Sequence, residues 1–535
     1  MKVTPRIILS WFLLLTIFLA CKRDGIKDNG TFTPEPVAWD GVKRGDVYYE
    51  IFVRSFADSN GDGIGDLRGI TDKLDYLHEL GISGIWLTPI HPSPSYHGYD
   101  VNDYKEIDPQ YGTMADFDAL INKARQLNIK VVMDWVVNHT SKLHPWFTEA
   151  CSNLSSPYRD FYLFAPYNQI QSYVQSGQVP ATKWYNAYEW HRVESGTTDY
   201  SYFGGFSSWM PDINPESAIV DHLLEAAKMW LDKGVSGFRF DAVKHIYQDE
   251  KSQQNIDFWQ NFLGKLKSYK PEVYLVGEVF DNREVMAYFY QAFPALFNFP
   301  NWNNLAWALN NQTGKYYPKD VADCLSAFAA ANPNYINVPK LSNHDEDRTM
   351  SVFNNDMGKA KVAAAVLLTM PGQPYLYYGE EIGMRGLKNS GDINVREPFL
   401  WAPKASDRYR ASWHTPVFST DELVAPLSLQ QEEKNSLYSV YASFIKLRNS
   451  YPALSQGALY FPDPNEVANE FMVYTRQKDN QRLLIIHNVS QALRAYPINE
   501  PVKKLLAVVN GAVVEKTGDA YVAKMPAFST VVVEL

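Results

Sequence analysis

From residue 46 onward, short apolar runs alternate with amphipathic stretches that have helical spacing. This alternation is typical of βα units arranged around a parallel sheet. We predict strands at 47–53, 85–88, 131–134, 238–241, 274–278, 296–299, 338–342 and 375–378. The stretches between them predict helices, for example at 69–80, 114–127, 218–233, 256–269 and 359–368. Eight such strands predict an α/β fold with a closed (β/α)8 TIM barrel.

Two regions break the alternation. About seventy residues rich in Tyr, Trp, Ser and Pro precede the helix at 218–233, too many for an ordinary βα loop, so we expect a small inserted domain at 140–213. The barrel would then occupy 41–139 and 214–452. Beyond it, short β-rich runs divided by turn residues predict an antiparallel β-sandwich at 453–535, with strands at 471–476, 482–487, 504–509 and 530–535.

The N-terminus has the features of a targeting segment. Basic residues precede an apolar run at 7–20, which is short for a membrane span and ends at Ala20-Cys21. It resembles a bacterial lipoprotein signal over 1–20, cleaved before Cys21, and residues 21–40 have the composition of a flexible tether. We expect secretion across the inner membrane and a lipid anchor at Cys21, on either face of the outer membrane. A plain signal peptide or an uncleaved anchor remains the alternative.

The net charge and the cysteines of the chain limit which binding partners and which disulfides are expected. The net charge of −10, without a basic run in the body of the chain, argues against a nucleic-acid partner, and we expect a monomer. Beyond Cys21, only Cys151 and Cys324 remain; we interpret them as ordinary thiols, and their spacing leaves open whether they pair.

Polar side chains collect where the predicted strands end. Asp241, Glu278 and Asp345 follow three different strands, and the carboxyl ends of barrel strands form one rim. Arg239 and Asp241 are two residues apart on a strand and therefore point to the same side. A guanidinium holds a neighbouring carboxylate ionised, which makes Asp241 a candidate nucleophile. The alternative is a purely structural ion pair.

The motifs around these residues resemble those of the α-amylase family, glycoside hydrolase family 13. Residues 134–139, 237–245, 277–279 and 342–345 resemble its four signature regions, and 210–214 its fifth. Residues 96–100 and 379–383 match further family segments. The resemblance extends from about residue 46 to the C-terminus, and motifs in this order at the required strand ends are a specific signal.

The resemblance implies roles for individual residues. Asp241 would be the nucleophile, Glu278 the general acid/base and Asp345 the stabiliser of the transition state, as cleavage with retention requires. The apolar residues before Glu278 predict a raised pKa for its carboxyl group. Substrate contacts are expected from His97, Tyr99, Asp100, His139, Arg239, Lys244, His245 and His344.

One loop predicts a calcium site directly. Asp58, Asn60 and Asp62 place side-chain oxygens at alternate positions, followed by the carbonyl of Ile64 and by Asp66. The alternative is an Asp/Gly turn without an ion. The resemblance also implies Ca²⁺ as a cofactor, since some family members carry such a loop after the first strand. It suggests a second calcium site at Asn138 and Asp212 with the carbonyl of His245, for which the inserted domain does not reveal the remaining ligand.

The substrate expectation also depends on the resemblance. Ala242 after the nucleophile and the pair Lys244-His245 resemble endo-acting α-amylases, which implies retaining hydrolysis of α-1,4-glucosidic bonds in starch and maltooligosaccharides. We expect a lipid-anchored enzyme of a starch-using Gram-negative bacterium. The alternatives are an exo-acting α-glucosidase, a neopullulanase or cyclomaltodextrinase, or a transglycosylase. A non-catalytic glucan-binding lipoprotein is the hypothesis from a different class.

Overall fold

The computed structural model describes residues 30–535 except 36, 38, 44, 177–188, 195–198 and 248–252. The predicted signal over 1–20 and Cys21 lie outside these residues. Within the stretch predicted as a tether, Thr31–Phe32 forms a strand that pairs with Val513–Thr517 near the C-terminus. None of the helices in the described residues is long and apolar enough to cross a membrane.

Eight parallel strands form the central sheet. They are β1 (Tyr48–Ile51), β2 (Gly84–Leu87), β3 (Lys130–Trp135), β4 (Gly237–Phe240), β5 (Tyr274–Gly277), β6 (Ala295–Asn298), β7 (Ile336–Pro339) and β8 (Tyr375–Tyr377). Their order is β7-β6-β5-β4-β3-β2-β1-β8, and a parallel bridge between Lys340 and Tyr375 joins the two ends. The predicted barrel is confirmed. The first strand is shorter than predicted because a helix begins at Val53.

Helices surround this barrel. The longer ones are Leu67–Leu80, Met114–Gln126, Ile219–Asp232, Gln253–Tyr269, Arg283–Phe289, Phe299–Asn310, Tyr317–Ala331, Met357–Thr369 and Leu437–Ser450. Their ends follow local sequence signals. Thr113 and Asp116 form a capping box, and Gly81 ends the first long helix at φ 94°. Shorter helices are Val53–Phe56, Thr349–Val352, Leu427–Glu432 and Pro452–Gln456.

Aromatic side chains fill the barrel interior. The rings of Tyr48 and Tyr375 stack with centroids 4.8 Å apart, and those of Trp86 and Phe297 lie 5.3 Å apart. These rings are almost completely buried. The interior is therefore a packed core rather than a pore, and it forms a rigid floor beneath the carboxyl ends of the strands.

The predicted insertion is a small antiparallel unit between β3 and the helix Ile219–Asp232. Its described strands are Phe164–Pro166, Trp190–Arg192 and Tyr200–Phe203, with the last in the middle, and its helices are Pro145–Ser152 and Tyr167–Ser176. A bridge from His139 to Asp212 joins it to the segment that follows β3, and a second bridge, from Tyr162 to Ile213, lies within the insertion. Cys151 lies here and Cys324 on the barrel; both are buried free thiols, and burial raises the pKa of each to about 11.

The C-terminal region is the predicted β-sandwich. Its strands are β9 (Ala458–Tyr460), β10 (Phe471–Lys478), β11 (Gln481–Asn488), β12 (Arg494–Ile498), β13 (Lys504–Val509), β14 (Val513–Thr517), β15 (Ala520–Met525) and β16 (Ser529–Glu534). One sheet has the order β9-β10-β11-β16-β13; in the other, Thr31–Phe32 is followed by β14, β15 and β12. Buried apolar side chains from both sheets form one shared core.

Candidate active site

Strand β4 brings Arg239 and Asp241 to the carboxyl end of the barrel. The strand can begin where it does only with a glycine, because a Cβ on Gly237 would lie 1.8 Å from the carbonyl oxygen of Tyr274 on β5. Arg239 is completely buried. Ala242 then takes a left-handed conformation with φ 49°, so the chain turns sharply directly after Asp241.

The guanidinium of Arg239 contacts three carboxylates. Its Nη1 lies 2.7 Å from Asp241 Oδ1 and 3.0 Å from Asp134 Oδ1, and its Nη2 lies 2.9 Å from Glu278 Oε2. The backbone amide of Ala242 also donates to Glu278 Oε2, at 3.3 Å. Two carboxylates predicted from separate strands therefore share one cation, and the structure confirms that they come together.

Burial is the largest effect on the pKa values of Asp241 and Glu278. It raises the pKa of Asp241 above its ordinary value, with Arg239 acting in the opposite direction. The sequence predicts that Arg239 favours the ionised form of Asp241; this effect is present, but burial, which cannot be seen in the sequence, outweighs it. Burial likewise raises the pKa of Glu278, against Arg239, and the charges of Asp241 and Asp345 raise it further. The predicted direction for Glu278 is confirmed.

Asp345 has a different environment. Its Oδ2 lies 2.8 Å from His344 Nε2, and its Oδ1 accepts a hydrogen bond from Arg396 Nη2 at 2.8 Å. Burial raises the pKa of Asp345, but these two neighbours and Lys388 outweigh it and hold the pKa well below its usual range. The site thus combines a fixed anion at Asp345 with a carboxyl group at Glu278 that favours its proton.

A cavity of about 490 Å³ opens above these groups. The predicted residues that line it are His97, Tyr99, His139, Asp241, Lys244, His245, Glu278 and Asp345. Arg239 lies beneath the cavity, where its charge acts through the carboxylates. Asp100 is buried and accepts a hydrogen bond from Ser93 at 2.7 Å, so it supports the loop that carries His97 and Tyr99.

The histidines of the site differ in charge. Burial lowers the pKa of His139 to about 4, and burial with the nearby Lys244 lowers that of His245 to about 4, so both are neutral. Burial also lowers the pKa of His97. His344 is fully buried, and its ring stacks on Tyr99 with centroids 5.4 Å apart. Acting against burial, Asp345 and Glu50 raise its pKa to about 10.

Beside Lys244 and His245, aromatic residues form one wall of the cavity. The ring of Phe206 lies 5.2 Å from His245 and 5.5 Å from His139. Phe280 packs on Phe299 at 4.6 Å and is 56% exposed. Lys244 donates to Asp281 at 2.9 Å. Exposed rings beside a cationic side chain form a surface on which sugar rings can stack.

Several residues of the site were missed by the sequence-based prediction: Glu50, Phe206, Phe280, Lys388, Asp392 and Arg396. Phe280 stands two positions after Glu278, so its place could have been inferred. Arg396 comes from the long segment after β8 and Glu50 from within β1, and neither has a local pattern that marks it.

Comparison with known proteins agrees with this geometry. Residues 50–457 match the model of the alpha amylase catalytic domain, and residues 471–532 match the alpha-amylase SusG C-terminal domain. The chain belongs to the α-amylase family. It is therefore a glycoside hydrolase, and the resemblance in the signature motifs is confirmed.

Individual relatives of this α-amylase family enzyme cover nearly its full length. It is 33% identical to Alpha-amylase SusG of Bacteroides thetaiotaomicron, over 98% of both chains. It is 38% identical to Alpha-amylase 3 of Dictyoglomus thermophilum, over 88% of this chain and 90% of the relative. The crystal structure of an alpha-amylase from H. orenii superposes with a TM-score of 0.81 at 34% identity, over 91% of this chain and 99% of the other.

The predicted calcium loop is a series of turns in this enzyme. Asp58 Oδ1 accepts from the amide of Gly61 at 2.6 Å, Asn60 Oδ1 from that of Asp62 at 2.8 Å, and Asp62 Oδ1 from that of Ile64 at 2.8 Å. Asp66 instead caps the helix Leu67–Leu80, where it accepts from Gly69 at 2.6 Å. The described residues contain no group of three or more His, Cys, Asp or Glu side chains placed to hold a metal ion.

Asn138 and Asp212, suggested for a second calcium site, lie together. Residues His139 and Asp212 form an antiparallel bridge, and the side chain of Asn138 bonds to the Asp212 carboxyl group. Burial raises the pKa of Asp212 to about 7, against hydrogen bonds from Gly205 and Asn138. The structure thus places the side-chain oxygens of Asn138 and Asp212 next to each other in a buried region.

Proposed function

We propose that this enzyme hydrolyses internal α-1,4-glucosidic bonds of starch and maltooligosaccharides with retention of configuration. The observation that carries the proposal is the contact of one guanidinium, Arg239, with both Asp241 and Glu278 at the base of the cavity. Retaining hydrolases need two carboxyl groups close together, about 5–5.5 Å apart, one to attack and one to protonate. The alpha-amylase names of the relatives support the substrate class.

The proposed chemistry assigns each carboxyl group one task. Asp241 attacks the anomeric carbon and forms a glycosyl ester, while Glu278 gives its proton to the leaving glycosidic oxygen. Glu278 then removes a proton from the incoming water, which attacks the same carbon and releases Asp241. Asp345, held as an anion, stabilises the positive charge that develops on the sugar ring.

The wall that carries Lys244, His245, Phe206 and Phe280 supports an extended substrate. We propose that glucose units on the leaving side stack on the two rings and bond to Lys244, which is fixed by Asp281. His139, whose ring lies 5.5 Å from that of Phe206, offers a further contact: its Nε2 is buried, and in the described part of the chain no protein group bonds to it. A sugar hydroxyl can supply that partner.

Product analysis tests the assignment. Purified enzyme is incubated side by side with amylose, pullulan and isomaltose, and early products are separated by length. We expect maltooligosaccharides of mixed length from amylose and no cleavage of isomaltose. Glucose as the sole product from the first time point would instead establish an exo-acting α-glucosidase, and products longer than the starting oligosaccharide would establish a transglycosylase.

We further propose that the loop from Asp58 to Ile64 binds Ca²⁺. Asp58 is buried, and its carboxylate accepts hydrogen bonds from the backbone amides of Asn60, Gly61 and Gly63, which carry no full charge, so a cation would offset the cost of burying the carboxylate. Asp58, Asn60, Asp62 and the carbonyl of Ile64 would hold the ion, without Asp66. Its contribution would be structural, fixing the turn between β1 and the first long helix.

Finally, we propose that the chain is exported and anchored through lipid on Cys21. The support is the apolar run that ends directly before this cysteine. Metabolic labelling with a fatty-acid probe tests it. We expect label on the wild-type protein and none on the Cys21→Ser variant; equal labelling of the two would refute the anchor.

A further inference from the structure

The ring of His344 lies between two carboxylates from distant parts of the chain. Its Nδ1 lies 2.6 Å from Glu50 Oε1, and its Nε2 lies 2.8 Å from Asp345 Oδ2. A neutral imidazole has only one N–H donor, whereas the imidazolium has two. Since ionised carboxylates only accept hydrogen bonds, both contacts are satisfied together only when His344 is protonated.

The hydrogen bonds of Tyr99 also require a proton on His344 Nε2. Its hydroxyl oxygen lies 2.7 Å from His344 Nε2, and the hydroxyl donates to Asp134 Oδ2 at 2.9 Å. A hydroxyl whose proton is already used can only accept at a second contact. Nε2 must therefore carry a proton that it shares between Tyr99 and Asp345.

In the described part of the chain, the carboxylate of Glu50 contacts one residue, His344. Glu50 is two residues after Tyr48 on β1, so its side chain points into the barrel, where it is 2% exposed. Both of its contacts in the described chain are with His344: the ring and, at 3.3 Å, the backbone amide. A glutamine could make the same two contacts without a charge, so what the carboxylate adds is charge directed at His344.

The field at His344 has contributions from several elements. Besides Glu50 and Asp345, anionic groups at Asp134, Asp241 and Glu278 interact with it. The cations nearby are Arg396, whose Nε donates to the carbonyl of His344, and Arg239, whose Nη1 lies 3.5 Å from the Tyr99 hydroxyl. His97 also interacts with the ring, but burial lowers its pKa. Glu50 and Asp345 are the anions in direct contact with the ring. Of these two, Glu50 has no place in the proposed chemistry and lies on the far side from the cavity.

We propose that Glu50 is a positioning residue whose buried charge keeps His344 in the imidazolium form, so that Asp345 stays ionised and correctly oriented. The inference rests on the proposed role of Asp345. It adds to that role a residue inside the barrel, because Glu50 contacts His344 and His344 in turn contacts Asp345.

The test compares Glu50→Gln with Glu50→Asp. Gln keeps the hydrogen bond and removes the charge, so we expect kcat on maltooligosaccharides to fall roughly tenfold or more, with KM less affected. The ring of His344 should also lose its second proton at a lower pH than in the wild type, which ¹⁵N-histidine NMR measures, because Nδ1 no longer faces a charged acceptor. Asp keeps the charge on a shorter side chain, so His344 should titrate in this variant as it does in the wild type.

Each outcome decides the point. A Gln variant with unchanged kcat and an unchanged titration of His344 overturns the inference, as does one that loses rate without a shift of that titration, since that would be a structural effect alone. Inactivity of Asp241→Asn in the same assays shows that the proposed function stands even then. If Glu50→Gln does not fold, ¹⁵N-histidine NMR of the wild-type enzyme at pH 8 decides: a doubly protonated His344 supports the inference and a neutral ring refutes it.

Discussion

The guanidinium of Arg239 donates a hydrogen bond to Asp241 at 2.7 Å from a position that solvent does not reach. A buried cation attracts carboxylates strongly and has few conformations available. The same group contacts Glu278, so the attacking and the protonating residue are fixed relative to each other by one rigid side chain. This sharing explains how two carboxyl groups can be held close together at one site.

Glu278→Gln and Asp241→Asn should separate the two proposed roles. An α-maltosyl fluoride needs no proton for its leaving group, so attack on it depends on the nucleophile alone. For Glu278→Gln we expect starch hydrolysis to fall by about 10³-fold, while the first turnover of the fluoride is affected much less. For Asp241→Asn both should be lost.

Folding controls belong with this comparison. Each change removes one carboxylate from Arg239, but the guanidinium retains Asp134 at 3.0 Å, so we expect circular dichroism spectra like those of the wild type. Equal loss of both reactions in Glu278→Gln, with the fold intact, would contradict its role as the acid.

The pH dependence should show an active form with Glu278 protonated. Burial, Asp241 and Asp345 raise the pKa of Glu278 against the effect of Arg239. kcat/KM should therefore fall as pH rises through this pKa, with the midpoint above the ordinary value of about 4.5. On the acid side it should fall as Asp241 becomes protonated. An alkaline midpoint at or below the ordinary glutamate value would argue against this assignment.

Chelation should destabilise the enzyme through the Asp58 loop. An ion that binds only the folded state stabilises it by about 2.7 kcal/mol at a hundred times its Kd, which for a chain of this length corresponds to about 3 °C in Tm. We expect EDTA to lower the Tm of the wild type by this order. The Asp58→Asn variant should start lower and respond less.

The exposed Asp75→Asn serves as the control, since Asp75 lies on the helix after the loop and pairs with Lys123 at the surface. This variant should respond to EDTA like the wild type. If Asp58→Asn keeps the full response, the ion lies elsewhere, with Asn138 and Asp212 the next position to examine.

Glu380 should make stability depend on pH. Burial raises its pKa to about 7, against hydrogen bonds from Tyr441, Thr349 and Ser342. Because the folded state holds this proton more tightly than the unfolded state, the contribution is fully present below about pH 4.5 and is lost as pH rises through 7. The shift corresponds to roughly 3 kcal/mol.

Glu380→Gln removes the titrating group, so we expect its unfolding free energy to decline less between pH 5 and 8 than that of the wild type. Glu225→Gln, at a surface position, should follow the wild-type curve. Parallel curves for Glu380→Gln and the wild type in denaturant titrations would show that Glu380 does not titrate in this range.

The sequence predicts the barrel because each strand is a short apolar run with a helical stretch beside it. It predicts Asp241, Glu278 and Asp345 because each follows such a run directly. Glu50 has no comparable signal: within β1 it resembles any polar residue of a strand, and only closure of the barrel brings it against His344, nearly three hundred positions away.

Two further features could not be predicted from the sequence: pKa shifts that depend on burial, and short strands that depend on their pairing. Arg239 is visible beside Asp241 in the sequence, but the burial that reverses the expected pKa shift results from the whole barrel. The strands β12, β14 and β15 were missed because they mix polar and apolar residues, and Thr31–Phe32 becomes a strand only through its pairing with β14. At Asp66 two local interactions compete for the same side chain: its Oδ1 caps the helix Leu67–Leu80, whereas the sequence predicts that it binds calcium.

The most direct test of the central claim is to trap the covalent intermediate. Glu278→Gln is incubated with a fluorinated maltosyl fluoride, which forms the glycosyl ester but turns it over slowly, and the peptides are analysed by mass spectrometry. We predict one added maltosyl group on the peptide containing Asp241, and none in the Asp241→Asn variant of the same background. A label on another residue, or fluoride release without any label, would contradict the assignment of Asp241 as the nucleophile.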